Sequence, residues 1–207
     1  MEIFSLALLL LFGLHLLKSR ERAARVALLG SFLARYQIEK LMESLTDGYL
    51  RALGEQDAQR RAQIWDLLAT TEKNLALQLQ SFADDFGRVP ADEARVSTLA
   101  IALPYASRWF PTATFDMREM LQLHARGIAA VVAQAPGGEE GMAQERKRQA
   151  YTVTAELYLL QHSCHWFCRS ATVASVRLIA LHQTSYEQVL EGVSPATRAA
   201  YRQLAGV

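Results

Sequence analysis

The chain carries only two cysteines, Cys164 and Cys168, too few for a disulfide framework. It also lacks charge of one sign. A net +1 is far from the basic excess of a nucleic-acid binder, so no nucleic-acid partner is expected. β-Branched alternation is nearly missing, while Leu, Ala, Gln, Glu and Arg dominate, so the expected fold is all-α. The sequence has no Gly-x-Ser-x-Gly nucleophile elbow, no His-Glu-x-x-His and no dinucleotide fingerprint. No catalytic residues are assigned on that basis.

What the chain does have is one nearly unbroken hydrocarbon run, Ile3 to Leu17, leading directly into Lys18, Arg20, Arg22 and Arg25. At 1.5 Å per residue the run covers roughly 22 Å, against roughly 30 Å of bilayer hydrocarbon. The stems of Lys18 and Arg20 can snorkel, and a bilayer can thin, to make up the difference. Glu2 precedes the run and the cations follow it, with no A-x-A site at the junction, the reverse of a secretory signal. The positive-inside rule then places Met1 outside and the bulk of the chain in the cytoplasm. The expectation is a transmembrane anchor over residues 1–18, in the inner membrane of a bacterium, followed by a helical bundle over 19–207. A buried N-terminal helix of a soluble bundle and a helix lying in the interface are the competing readings. The cationic cluster is read first as a topology signal and second as a contact for anionic head groups.

The bundle is expected to hold about five helices. Leu29, Leu33, Tyr36, Leu41, Leu45 and Tyr49 recur at helical spacing and no Pro or Gly separates Leu14 from Leu29, so the anchor is expected to continue as one long helix into the cytoplasm, with Gly54 as the end signal. A second helix carries Ile64, Leu67, Leu68, Thr71, Leu75, Leu79, Phe82 and Phe86, with Asp57 as N-cap and Gly87 as terminator. Residues 88–115 are punctuated by Pro90, Pro104 and Pro111, with a short helix expected over Leu99 to Leu103. A third helix starts at Asp116, answered by Glu119, and its Gly127 marks close helix packing. The Pro136–Gly141 stretch reads as a flexible turn. From Met142 to about His182 there is no Gly or Pro, so the expectation is one long helix or two broken near Ser170. A capping box follows at Thr184 and Glu187, and Ser194-Pro195 opens a last helix.

Two clusters are candidate sites. His162, Cys164, His165 and Cys168 fall within about 160° of helical arc at 100° per residue, and His165 with Cys168 is the pair best spaced to share a metal ion. They are the candidate metal ligands, with zinc or haem as the cofactor they would hold; the competing reading makes them core residues of an apolar helix. Trp109 and Phe110 form the candidate partner contact. The functional expectation is a membrane-tethered interaction or scaffold protein that recruits a partner or assists its assembly. A metal- or haem-binding sensor or redox protein is the alternative.

Overall fold

The computed structural model describes residues 2–99, 103–134 and 142–206, and these form an all-α fold. The first helix, α1 (Glu2–Leu33), is a single unbroken rod of 32 residues. Its apolar half stands clear of the rest of the chain, with Ile3 86% exposed, and Leu29 is the first of its residues to be buried. It is one helix long and apolar enough to cross a membrane. A buried N-terminal helix of a soluble bundle is therefore not what forms here.

Where α1 meets the bundle, two side chains one turn apart tie it down. Arg25 pairs with Glu21 at 2.9 Å and donates to the carbonyls of Phe167 and Arg95, both at 3.1 Å. Glu21 in turn accepts the backbone N–H of Tyr105 at 2.7 Å. Tyr105 sits in the left-handed region (φ 55°), uncommon for a bulky residue, and this bond helps to hold it there. The Phe167 carbonyl is one of the last in its helix, where carbonyls have no partner within the helix, so Arg25 also acts as a cap.

The rod does not continue to Gly54. It ends at Leu33, and α2 (Ile38–Gly54) begins after a turn. The break contains neither Gly nor Pro and is held by distant partners. The Tyr36 hydroxyl donates to Asp85 at 2.8 Å, Arg35 pairs with Asp85 at 3.2 Å, and the Gln37 N–H donates to Gln78 at 2.7 Å. Those partners lie on α3 (Ala58–Phe86), capped by Asp57, which accepts from the Arg60 N–H at 2.7 Å, and followed by Gly87. Of the α3 stripe, Leu68, Leu75, Leu79, Phe82 and Phe86 are buried as the spacing predicts, whereas Leu67, at the edge of that face, is exposed.

Between Arg88 and Asp116 the chain is more structured than expected. α4 (Ala91–Ala94) leads into β1 (Arg95–Ser97), which pairs antiparallel with β2 (Thr114–Asp116), and α5 (Ala106–Trp109) lies between the strands. Strands of three residues are too short to show an alternating pattern. Residues 100–102 of the expected short helix, and the Pro136–Gly141 turn, lie outside the described residues.

α6 (Met117–Val132) is capped by Asp116, but Arg118 rather than Glu119 answers it, through both its backbone N–H and its guanidinium. α7 (Met142–Cys168) runs through the middle of the bundle, packed on α6, α8, α9, α1 and α2. The break near Ser170 is real, and Ser170 caps α8 (Ala171–His182). The next capping box forms one residue later than expected, from Ser185 and Gln188, and opens α9 (Tyr186–Gly192). Ser194 caps α10 (Pro195–Ala205) with Pro195 in its first turn.

Gly127 marks a close approach, as its place inside α6 implied. A Cβ there would fall inside contact distance of Thr197 Oγ1 and 3.2 Å from Glu156 Oε2, whereas a Cβ at Gly30 would meet nothing within 4 Å. Replacing Gly by Ala in a helix gains about 1 kcal/mol of propensity, but overpacking a tight core costs about 1–3 kcal/mol. Gly127→Ala is thus expected to lower the urea midpoint of the full chain in mild detergent, and Gly30→Ala to leave it equal or higher. Equal midpoints for both variants would contradict the packing described here.

Candidate functional site

The last four turns of α7 have two working faces. Toward α6, α9 and α10 the helix presents His162, Ser163 and Glu156, all buried. The Ser163 hydroxyl donates to the Leu159 carbonyl at 3.0 Å, so it accepts from His124 Nε2 at 2.9 Å, which fixes the proton on that nitrogen. The opposite nitrogen, Nδ1, is buried without a partner. Ser163 is fully enclosed and its proton is already committed, so the Ser163–His124 pair has no access to a substrate. Glu156 accepts the Ser194 N–H at 3.1 Å, and burial raises its carboxyl.

His162 belongs to this inner face. Its ring stacks on Tyr186 with centroids 4.6 Å apart, and its Nε2 lies 3.1 Å from Ser175 Oγ. The other three candidate ligands turn the opposite way. Cys164, His165 and Cys168 line a cleft of about 510 Å3 between α1, α2 and α7. The four residues are therefore split across two interfaces, and no group of three His, Cys, Asp or Glu side chains is gathered as a metal ion requires among the described residues.

The cleft itself is mostly hydrocarbon, with Leu29 and Leu33 from α1, Ile38 and Met42 from α2, and Phe82 from α3. Glu39 and Glu43 stand along its α2 side. Its α8 contribution is His182, which donates to Gln161 Oε1 at 2.6 Å and stacks on Tyr158 at 3.8 Å. Its volume falls within the roughly 300–1,000 Å3 of small-molecule sites.

The titration behaviour of this region opposes thiolate or acid–base chemistry. Burial pushes the Cys164 thiol far up, and it raises Cys168 despite the nearby Arg25 and Arg169, whereas a nucleophilic cysteine needs a lowered value. Burial lowers His162 to about 4, and burial with the charges of Arg177 and Arg169 lowers His165 to about 4. His124 falls to about 3, mainly through burial. All three rings are neutral at pH 7.

Trp109 and Phe110 sit at the end of α5, and Trp109 is 75% exposed. Sequence reasoning identified these aromatics but not their position. The bond from the Tyr105 N–H to Glu21 places α5 beside the first turns of α1 past the apolar run. A second feature had no sequence signal at all: Arg169, at the end of α7, shares a pocket with Lys18 and Arg22 of α1.

A histidine held neutral by the fold contributes stability that is complete above its unfolded value near 6.5 and is lost as pH falls toward the folded value. For His124 the loss between pH 7 and pH 5 is about 2 kcal/mol. Buried Glu72 and Glu156, both raised by burial, act in the opposite sense, stabilising the fold at low pH and losing that contribution as pH rises. The histidine effect is isolated by comparing pH profiles of urea unfolding for the native chain and His124→Gln. The native chain should lose about 2 kcal/mol more than the variant between pH 7 and 5; parallel profiles would contradict the assignment.

No family model matches the chain, and neither the curated proteins nor the solved structures contain a match to it.

Proposed function

We propose that this chain is a single-pass membrane-tethered helical bundle that holds a partner protein at the membrane, with Met1 outside and the bundle in the cytoplasm. The observation that carries the reading is the form of α1. The apolar arm and the first element of the bundle are one helix, and that helix is bonded into the bundle through Glu21 and Arg25. A removable signal would be separated from its domain, but no break in α1 separates Leu17 from Leu29. The cations that follow Leu17 support the cytoplasmic side by the positive-inside rule. The tether and the bundle thus act as one body.

The partner contact is Trp109 and Phe110. An exposed indole on a four-residue helix makes little contribution to the core, and large exposed aromatics are the usual anchors of interfaces. Because α5 is bonded to the juxtamembrane turn of α1, the partner that meets it is the juxtamembrane segment of a second membrane protein. The metal- or haem-binding alternative has one observation in its favour, the shared cleft wall of Cys164, His165, Cys168 and His182.

One preparation tests both. Full-length protein is extracted from its native membrane in mild detergent, and every co-purifying chain and metal is identified. The expected result is a stoichiometric protein partner that is lost in Trp109→Ser/Phe110→Ser while the helical content is unchanged. Retention by that variant would overturn the site. A lone chain carrying metal or haem that disappears in His165→Ala/Cys168→Ala would overturn the interaction reading in favour of the alternative.

A further inference from the structure

The junction between α1 and the bundle contains a second, smaller pocket, of about 210 Å3. Its lining includes four cations, Lys18, Arg22 and Arg25 on one face of α1 and Arg169 at the end of α7, and a single acid, Glu21. Lys18, Arg22 and Arg25 follow one another at i, i+4 and i+7, the spacing that stacks side chains along a helix face. Glu21 and Arg25 neutralise each other, and the remaining bonds of Arg25 go to the carbonyls of Phe167 and Arg95. Lys18, Arg22 and Arg169 have no ion-pair partner among the described residues, and all three are exposed. Three uncompensated cations thus converge on one pocket from elements 150 residues apart in sequence. The pocket also receives the start of α8, where Ser170 caps a 12-residue helix and the positive end of the helix dipole adds to the same field.

The rest of the pocket wall is mixed, with Ser97, Ser107 and Ser170 beside the apolar Leu99, Leu103 and Val173. A site that combines uncompensated cations and hydroxyls with some hydrocarbon suits an amphiphilic anion. Its depth relative to the membrane is consistent with that. Lys18 directly follows the apolar run, and Arg22 lies about 6 Å further along the helix axis. A head-group layer is roughly 5–8 Å deep on each side of the hydrocarbon. The volume lies below the roughly 300–1,000 Å3 of drug-sized ligand sites, so it suits a phosphate group with its immediate substituents rather than a larger molecule.

We infer that this pocket binds the phosphate of an anionic phospholipid, with Lys18, Arg22 and Arg169 contacting the phosphate and Leu103 and Val173 meeting the glycerol and the start of the acyl chains. The inference rests on α1 crossing the membrane. It assigns the juxtamembrane cations a role beyond setting orientation, because Arg169 is not juxtamembrane in sequence and joins them only through the fold. Arg20 provides the internal comparison. It carries the same charge at the same depth but lines the adjoining depression, beyond Glu21 and Arg25, with Asp92, Glu93 and Arg108, and is not part of the first pocket.

The test uses full-length protein in neutral-detergent micelles, with binding read by native mass spectrometry and by the shift in thermal unfolding. Phosphatidylglycerol, phosphatidylcholine and inorganic phosphate are titrated separately. The expected result is saturable binding of phosphatidylglycerol that is at least tenfold tighter than that of phosphatidylcholine. Lys18→Gln/Arg22→Gln/Arg169→Gln should lose that preference, and Arg20→Gln should keep it. The three replaced side chains are exposed, so the triple variant keeps its fold, which is checked by its unfolding midpoint without lipid. Equal binding of both lipids, an unchanged preference in the triple variant, or an equal loss in Arg20→Gln would overturn the site. Inorganic phosphate that displaces the lipid at equal concentration would overturn its assignment to lipid in favour of a free anion. Alkaline extraction of the same membranes separates the two layers of the argument. A chain released by alkali removes the membrane-spanning reading and the site with it. A chain that resists alkali but shows no lipid preference removes the site alone.

Discussion

The Glu21–Arg25 pair is the interaction on which the architecture depends. Arg25 is 17% exposed at its side chain and bonds three groups at once, and its guanidinium also lies 5.4 Å from the centre of the Phe167 ring. Through these two residues α1 is bonded to the end of α7, to β1 and to the segment that opens α5. Losing Arg25 leaves the Glu21 charge and two carbonyls without compensation, and losing Glu21 leaves the Arg25 charge and the Tyr105 N–H without theirs, which costs more than the pair contributes when intact. An ordinary exposed i, i+4 pair on a helix is worth only about 0.3–0.5 kcal/mol. What makes this one different is that its bonds leave the helix and fix the direction in which the apolar arm leaves the bundle.

The consequences extend along α7. With its end held by Arg25, α7 lies between two environments, a closed polar core on one side and an open apolar cleft on the other. The helix is apolar around most of its circumference because it has no solvent face in this stretch. Burial keeps His162 neutral, burial with the charges of Arg177 and Arg169 keeps His165 neutral, and burial keeps its cysteines as thiols. The same clamp places the Tyr105–Trp109 segment and the end of α7 beside the turn of α1 that follows its apolar run. Both functional proposals therefore descend from one geometric fact.

What the sequence made legible was local. The caps at Asp57 and Ser194 depend on side chains meeting backbone three residues away, and both form. Gly127 announced a close approach because a glycine inside a helix needs a reason. The turn at residues 34–37 was not legible, because Asp85 and Gln78, which hold it, lie on another helix more than 40 residues away. The capping box moved from Thr184 to Ser185 because both residues are competent caps, and the left-handed Gln183 (φ 52°) sets the phase. At the candidate site the 160° arc was real, but a helix packed on both sides divides such an arc between two interfaces, which separated His162 from Cys164, His165 and Cys168. The approach of Arg169 to Lys18 and Arg22 depends wholly on tertiary structure.

The most direct measurement of the central claim is hydrogen exchange across residues 18–33 of the full chain in lipid nanodiscs. A rigid arm clamped to the bundle predicts that these amides exchange as slowly as those of α7, and that Arg25→Ala speeds exchange at residues 18–25 while leaving the middle of α7 protected. Fast exchange at residues 18–25 in the native chain would show a flexible linker between the apolar arm and the bundle, and would contradict the account.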